Sequence, residues 1–360
     1  MAIRHIVVKI LTIVLPSLFF ILPVEASEVY VRNETIGILG EGLDAIKSVS
    51  SQGEKSIIDK IDIDVPIDPA PVRVRAFKKS GVRKIEVSTG YSAISRMIVT
   101  GYIMELKLGI KNFGEDYARY TANTYATGRL GGGEAPWEKA KLSSKEQQAL
   151  FKDKDFNAIQ HGQHMIVLWY VLAHEIAHHV LDHAIEDGMK LSDIREQEKE
   201  ADTWASNIFI KIGIPPAAAF PANMYWYYLD EYGLKDEYRK THPPDLKRTR
   251  WMLQKTINRF DEWNSKEKYF PAVPKEKTVN AYKRLLYYIE DLISTQTEFA
   301  EKTTSSKAFK VCMSIMYEGC LKSCQEKYGH PLKLCKSKLC NSDKSRNIWK
   351  LRCNAIAENI

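Results

Sequence analysis

The sequence predicts an α+β fold, predominantly helical with a small β-hairpin or sheet, followed by a C-terminal disulfide-linked helical module. Three observations carry that expectation. Residues 163–183 and 194–212 show helical spacing of apolar positions, the second segment stopping at Gly213-Ile214-Pro215-Pro216. A stretch upstream alternates residue by residue: Ile61 to Ile67 apolar with acidic, Val72 to Phe77 apolar with basic, and Lys84 to Ser88 after a Lys-Ser-Gly turn. All six cysteines (Cys312, Cys320, Cys324, Cys335, Cys340, Cys353) fall in the last fifty residues.

Taken in order, the chain opens with Arg4, His5 and Lys9 before an apolar run from Ile10 to Leu22, then small residues around Val24-Glu25-Ala26. That is the layout of an export signal over residues 1–26, with the mature chain starting near Ser27. An uncleaved anchor is the alternative, because Ile6 to Val24 is almost long enough to span a bilayer. Residues 27–60 read as helical, interrupted at Gly37, Gly40 and Gly42. The alternating strands follow, and the edge of Lys84–Ser88 is expected to pair with an extended peptide backbone. Tyr91 to Leu108 is again helical.

Periodicity then fades from Asn112 to Lys154, and residues 109–160 are read as an ordered insertion around Gly128-Arg129-Leu130-Gly131-Gly132-Gly133, either a lid or a plain surface loop. Further on, Ala222–Tyr232 is an aromatic helix whose Tyr225-Trp226-Tyr227-Tyr228 run reads as core packing. A basic helix is expected from Asp245 to Trp263, led in by Thr241-His242-Pro243-Pro244. The catalytic domain is thus placed at residues 27–300 and the cysteine-rich module at 301–360.

Composition narrows the function classes. With 44% hydrophobic and 27% charged residues, neither a disordered polyampholyte nor a multi-span membrane protein fits. Residues 301–360 carry 12 Lys+Arg against 5 Asp+Glu, which is the whole of the chain's +7. Such a tail suits an anionic envelope surface or an acidic partner, or is a solvated basic face; no nucleic acid is expected as a partner.

The string that carries chemistry is His174-Glu175-Ile176-Ala177-His178, inside the strongest helical segment. Four residues along a helix rise about 6 Å and return to the same face, so His174 and His178 can reach one Zn²⁺. Glu175 lies beside that face, where it can take a proton from an activated water. Glu198, early in the next helix, is the third-ligand candidate, since His₂Glu leaves an open position for chemistry. Asp202 shares a face with Glu198 and is placed to accept the spare N–H of a ligand histidine. His179 is rotated about 100° from the ligand face and reads as a core or surface residue. His161 and His164 read as lead-in residues before the helix.

His174 through His183, followed by Glu198-Lys199-Glu200-Ala201-Asp202, resembles the HtpX and CAAX-prenyl-protease family of gluzincins, with its HExxH and later ExxAD. Two echoes extend the resemblance to about residues 70–255: Thr241-His242-Pro243-Pro244 with Arg248 a turn later, and the strand ending Ile85-Glu86-Val87-Ser88. It implies a zincin-like catalytic domain, one zinc ion held by His174, His178 and Glu198, Glu175 as general base and Asp202 behind the ligands. His183 matches the family pattern and reads as structural. His242 is either a loop histidine before prolines or a group that enters the cleft to touch zinc or stabilise an oxyanion. Against the family, residues 100–160 look inserted and integral-membrane helices are absent. The function so implied is an exported, periplasmic or secreted zinc endopeptidase acting on proteins or peptides; a non-proteolytic chaperone or adaptor is the alternative.

For the tail, spacing favours a helical hairpin turning near residue 330, with Cys324 opposite Cys335, Cys320 opposite Cys340, and Cys312 with Cys353. A zinc cluster lacks any C-x₂-C pair, and free thiols do not suit an exported chain.

Overall fold

The computed structural model describes residues 24–68, 73–126, 133–183, 189–231, 246–266 and 272–305. It is predominantly helical with one small sheet, as the sequence predicts. The described residues form two compact units, one built from the elements up to His183 and one from those after it; residues 122–126 group with the second. Residues 1–23 of the export signal, most of the glycine tip, His242 and all six cysteines lie outside the described residues.

The first unit begins with helix α1 (Val24–Val49), which runs unbroken through the glycines expected to interrupt it. Gly42 has a packing reason. A Cβ there would stand 2.5 Å from Cδ1 of Trp169, a buried ring whose Nε1 donates to the Ile38 carbonyl at 2.8 Å. Gly42→Ala should therefore lower stability: the clash costs about 1–3 kcal/mol, against roughly 1 kcal/mol gained in helix propensity. A urea melt showing a more stable variant would mean that the indole shifts freely.

Helix α2 (Gln52–Ile58) follows, started by a reciprocal cap between Ser51 and Glu54. Then come strands β1 (Ile61–Asp64), β2 (Val74–Lys79) and β3 (Val82–Val87). The expected hairpin is present: Lys79 pairs with Val82 across Ser80 and Gly81, whose φ of 52° and 79° suit a tight two-residue turn. The third strand changes its meaning. β1 pairs in parallel with β3, setting Ile63 opposite Ile85, so the order is β1-β3-β2. β3 is the central strand, and the open edge expected at Lys84–Ser88 does not exist.

Ser88 caps helix α3 (Thr89–Leu108), which closes on left-handed Gly109. The aperiodic region resolves into short helices: α4 (Phe113–Ala126), α5 (Pro136–Lys139) and α6 (Ser144–Lys152). Helix α7 (Lys154–Val180) starts nine residues before the expected Gln163, capped by the Asp153 carboxylate on the Phe156 amide at 3.0 Å. Its residues 166–170 and 172–179 are buried, and α1, α3, β2 and β3 all pack against it. It is the core of this unit.

The second unit holds α8 (Leu191–Ile212), ended by left-handed Gly213, then a 3-10 turn (Pro216–Ala219) and α9 (Phe220–Glu231). Tyr225 and Tyr228 of the aromatic run are buried, as core packing requires. The expected 245–263 helix is two: α10 (Leu246–Asn258) and α11 (Phe260–Asn264), broken at Arg259. Helix α12 (Lys275–Ser305) completes the described part. Basic side chains of α10 and of the break after it reach α8: Lys255 Nζ donates to the Thr203 carbonyl at 3.2 Å and Arg259 Nη1 to Asn207 Oδ1 at 2.7 Å. Among the described residues, no helix is long and apolar enough to cross a membrane.

Candidate metal centre

Helix α7 places the motif where the sequence expects it, on a face made close by Ala173 and Ala177, both fully buried. The Nε2 atoms of His174 and His178 stand 3.2 Å apart, with ring planes at 80°. Two nitrogens bound to one tetrahedral zinc at 2.0–2.1 Å are separated by about 3.3–3.4 Å. The pair therefore already has the spacing that zinc needs. Glu175 is 1% exposed, His174 6% and His178 5%, so the groups are held away from bulk water.

Helix α8 supplies Glu198, also 1% exposed. One ligand atom each from His174, His178 and Glu198 all lie within 4.8 Å of one another, the only such group of three or more metal-binding side chains among the described residues. A buried carboxylate needs a counter-charge. Arg248 of α10 provides it, with Nη1 3.0 Å from Glu198 Oε2. The same guanidinium donates from Nε to Asp202 Oδ2 at 2.6 Å and from Nη2 to Asp202 Oδ1 at 2.9 Å. Asp202 thus stands behind Glu198 through Arg248, a fork geometry that lysine cannot reproduce. In the sequence Arg248 showed only as an arginine after Thr-His-Pro.

The remaining histidines separate cleanly. His179 donates from Nε2 to the Lys84 carbonyl at 2.9 Å, tying α7 to β3. Burial pushes its pKa down, so it stays neutral there. His183 brings its Nδ1 to 3.0 Å from Nδ1 of His178, a contact that its distance along the sequence did not suggest. His161 and His164 are not lead-in residues; both lie within α7. His164 is buried with Nε2 3.0 Å from the Ser92 carbonyl, and burial, with help from Arg96, pushes its pKa down to about 3.

Comparison with known proteins points the same way. The family model for Peptidase U49 matches residues 114–216, a range that takes in His174, Glu175, His178 and Glu198 and much of the stretch read as an insertion. No curated protein and no solved structure matches the chain. A peptidase-family match across a buried His-His-Glu group that could bind a metal ion fits a metallopeptidase.

Proposed function

We propose that this protein is a zinc metalloendopeptidase of the gluzincin type, with one zinc ion per chain held by His174, His178 and Glu198. The observation that carries this reading is the 3.2 Å convergence of two imidazole Nε2 atoms beside buried Glu175, inside the peptidase-family match. Two imidazoles and one carboxylate fit zinc and leave a position open, as a catalytic site requires. Zinc bound there would polarise a peptide carbonyl and acidify a water molecule. Glu175 takes the proton of the attacking water on a carboxylate oxygen and returns it to the leaving amine nitrogen. Arg248 keeps Glu198 charged and aimed, and Asp202 keeps Arg248 in place. The resemblance to the HtpX and CAAX-prenyl-protease family supports the same ligand set. The proposed setting is the periplasm or the secreted space, with a protein or peptide substrate and the basic tail facing an acidic envelope partner.

Metal analysis with casein turnover on the mature chain tests the proposal. About one zinc per chain is expected, lost in His174→Ala, His178→Ala and Glu198→Ala. Glu196→Ala and Glu200→Ala, which remove exposed carboxylates, should keep it. Equal zinc loss in all three glutamate variants, or turnover indifferent to a chelator, would sink it.

A further inference from the structure

Helix α7 ends in a specific way. Asp182 lies in the left-handed region at φ 53°. The amide of His183 donates to the His178 carbonyl at 2.8 Å, and the amide of Asp182 to the His179 carbonyl at 3.4 Å. This nested pair of bonds is the Schellman ending, which usually takes glycine at its left-handed position. An aspartate tolerates that conformation at a cost on the order of 1 kcal/mol. Its carboxylate meets the hairpin, 2.7 Å from Lys78 Nζ and 3.6 Å from Arg83 Nη2. The pair with Lys78 is well exposed and adds little energy.

The turn folds residue 183 back over residue 178, and the side chains meet as well. The two Nδ1 atoms are 3.0 Å apart and the rings 5.2 Å, at 66°. One proton can lie between two ring nitrogens, so one ring donates and the other accepts. His178 turns its Nε2 toward Nε2 of His174. A neutral imidazole that offers the lone pair of Nε2 to a metal carries its proton on Nδ1. His178 is then the donor, His183 the acceptor, and the proton of His183 sits on its Nε2.

We infer that His183 is a positioning residue for the metal centre: it fixes His178 in the Nδ1–H tautomer and holds its ring in the ligand orientation. This rests on the reading of His174, His178 and Glu198 as metal ligands. The role concerns His178 alone and leaves in place the expectation for Asp202, whose oxygens accept from Arg248 Nε and Nη2. It also makes the support a neutral ring, which adds no charge to the ligand as a carboxylate would.

The test uses the full chain, stripped of metal and reloaded. His183→Phe keeps a ring and removes the acceptor, His183→Asn restores an acceptor, and Asp182→Gly keeps the turn. Zinc affinity is read by competition with a chromophoric chelator, and ligand geometry by the visible spectrum of the cobalt-loaded chain. His183→Phe should weaken zinc binding about 10- to 100-fold and alter the cobalt spectrum. His183→Asn should recover most of the loss, and Asp182→Gly should stay within about threefold of wild type, since glycine favours the turn. Wild-type affinity in His183→Phe, or a loss in His183→Asn equal to that in His183→Phe, overturns the assignment. Should His183→Phe not fold, nitrogen-15 spectra of the zinc-loaded wild type decide: a coupling across a hydrogen bond between Nδ1 of His178 and Nδ1 of His183 supports the role, and its absence refutes it. Zinc binding unaffected by His174→Ala would remove the metal centre itself, whereas unaffected binding in His183→Phe alone removes only this role of His183.

Discussion

Glu175→Gln is expected to lower peptide turnover by on the order of 10²–10⁴-fold, the worth of a positioned general base, while zinc content stays at the wild-type level. The amide has nearly the shape of the carboxylate and cannot take a proton at neutral pH. Glu175 does not belong to the group whose ligand atoms converge, so the metal should not notice the change. Casein or a quenched peptide read beside metal analysis separates the outcomes. Loss of zinc together with turnover would make Glu175 a structural carboxylate, and unchanged turnover would assign the base to another group. A chaperone or adaptor that uses zinc only to hold helices together predicts no peptide turnover even in the wild type.

The second large effect is on acid stability. His164 has its pKa at about 3 in the folded chain against 6.5 for the ordinary side chain, because it is buried beneath Ser92, near Arg96 and His161. Between those two values the unfolded chain binds a proton that the folded chain refuses, so stability rises with pH across the window and falls as pH drops through it. The contribution is intact above pH 6.5 and fades toward pH 3. At one pKa unit per 1.36 kcal/mol, moving from pH 7 to pH 5 should cost about 2 kcal/mol through this residue alone. Urea melts of metal-free wild type and His164→Gln at both pH values measure it. The variant, whose amide can still donate to the Ser92 carbonyl, should lose about 2 kcal/mol less on acidification. An equal loss would mean that the acid sensitivity resides elsewhere.

What the sequence revealed and what it hid differ by physical cause. The approach of His174 to His178 was legible because helical spacing is a local rule, whereas Glu198, in another helix, was singled out by its residue type and the ExxAD resemblance. The β2–β3 hairpin was legible for the same reason, since alternation and a Ser80-Gly81 turn are neighbours in sequence. The parallel pairing of β1 with β3 was not, because a partner about twenty residues away leaves no mark on a four-residue strand. The early turns of α7 stayed hidden because Lys154 to Gly162 is mostly polar and depends on the Asp153 cap. The turn at Asp182 was invisible because left-handed backbone is normally signalled by glycine. Arg248 could be noted but not assigned, because its role depends on which carboxylates α10 meets.

That arginine has a consequence for the life of the protein before it acquires metal. One guanidinium faces two carboxylates, which gives Glu198 a counter-charge 3.0 Å away and leaves the cluster one negative charge that a bound cation would offset. On the proposed reading of the site, the metal-free chain keeps a cation beside its carboxylate ligand, so folding need not wait for the ion.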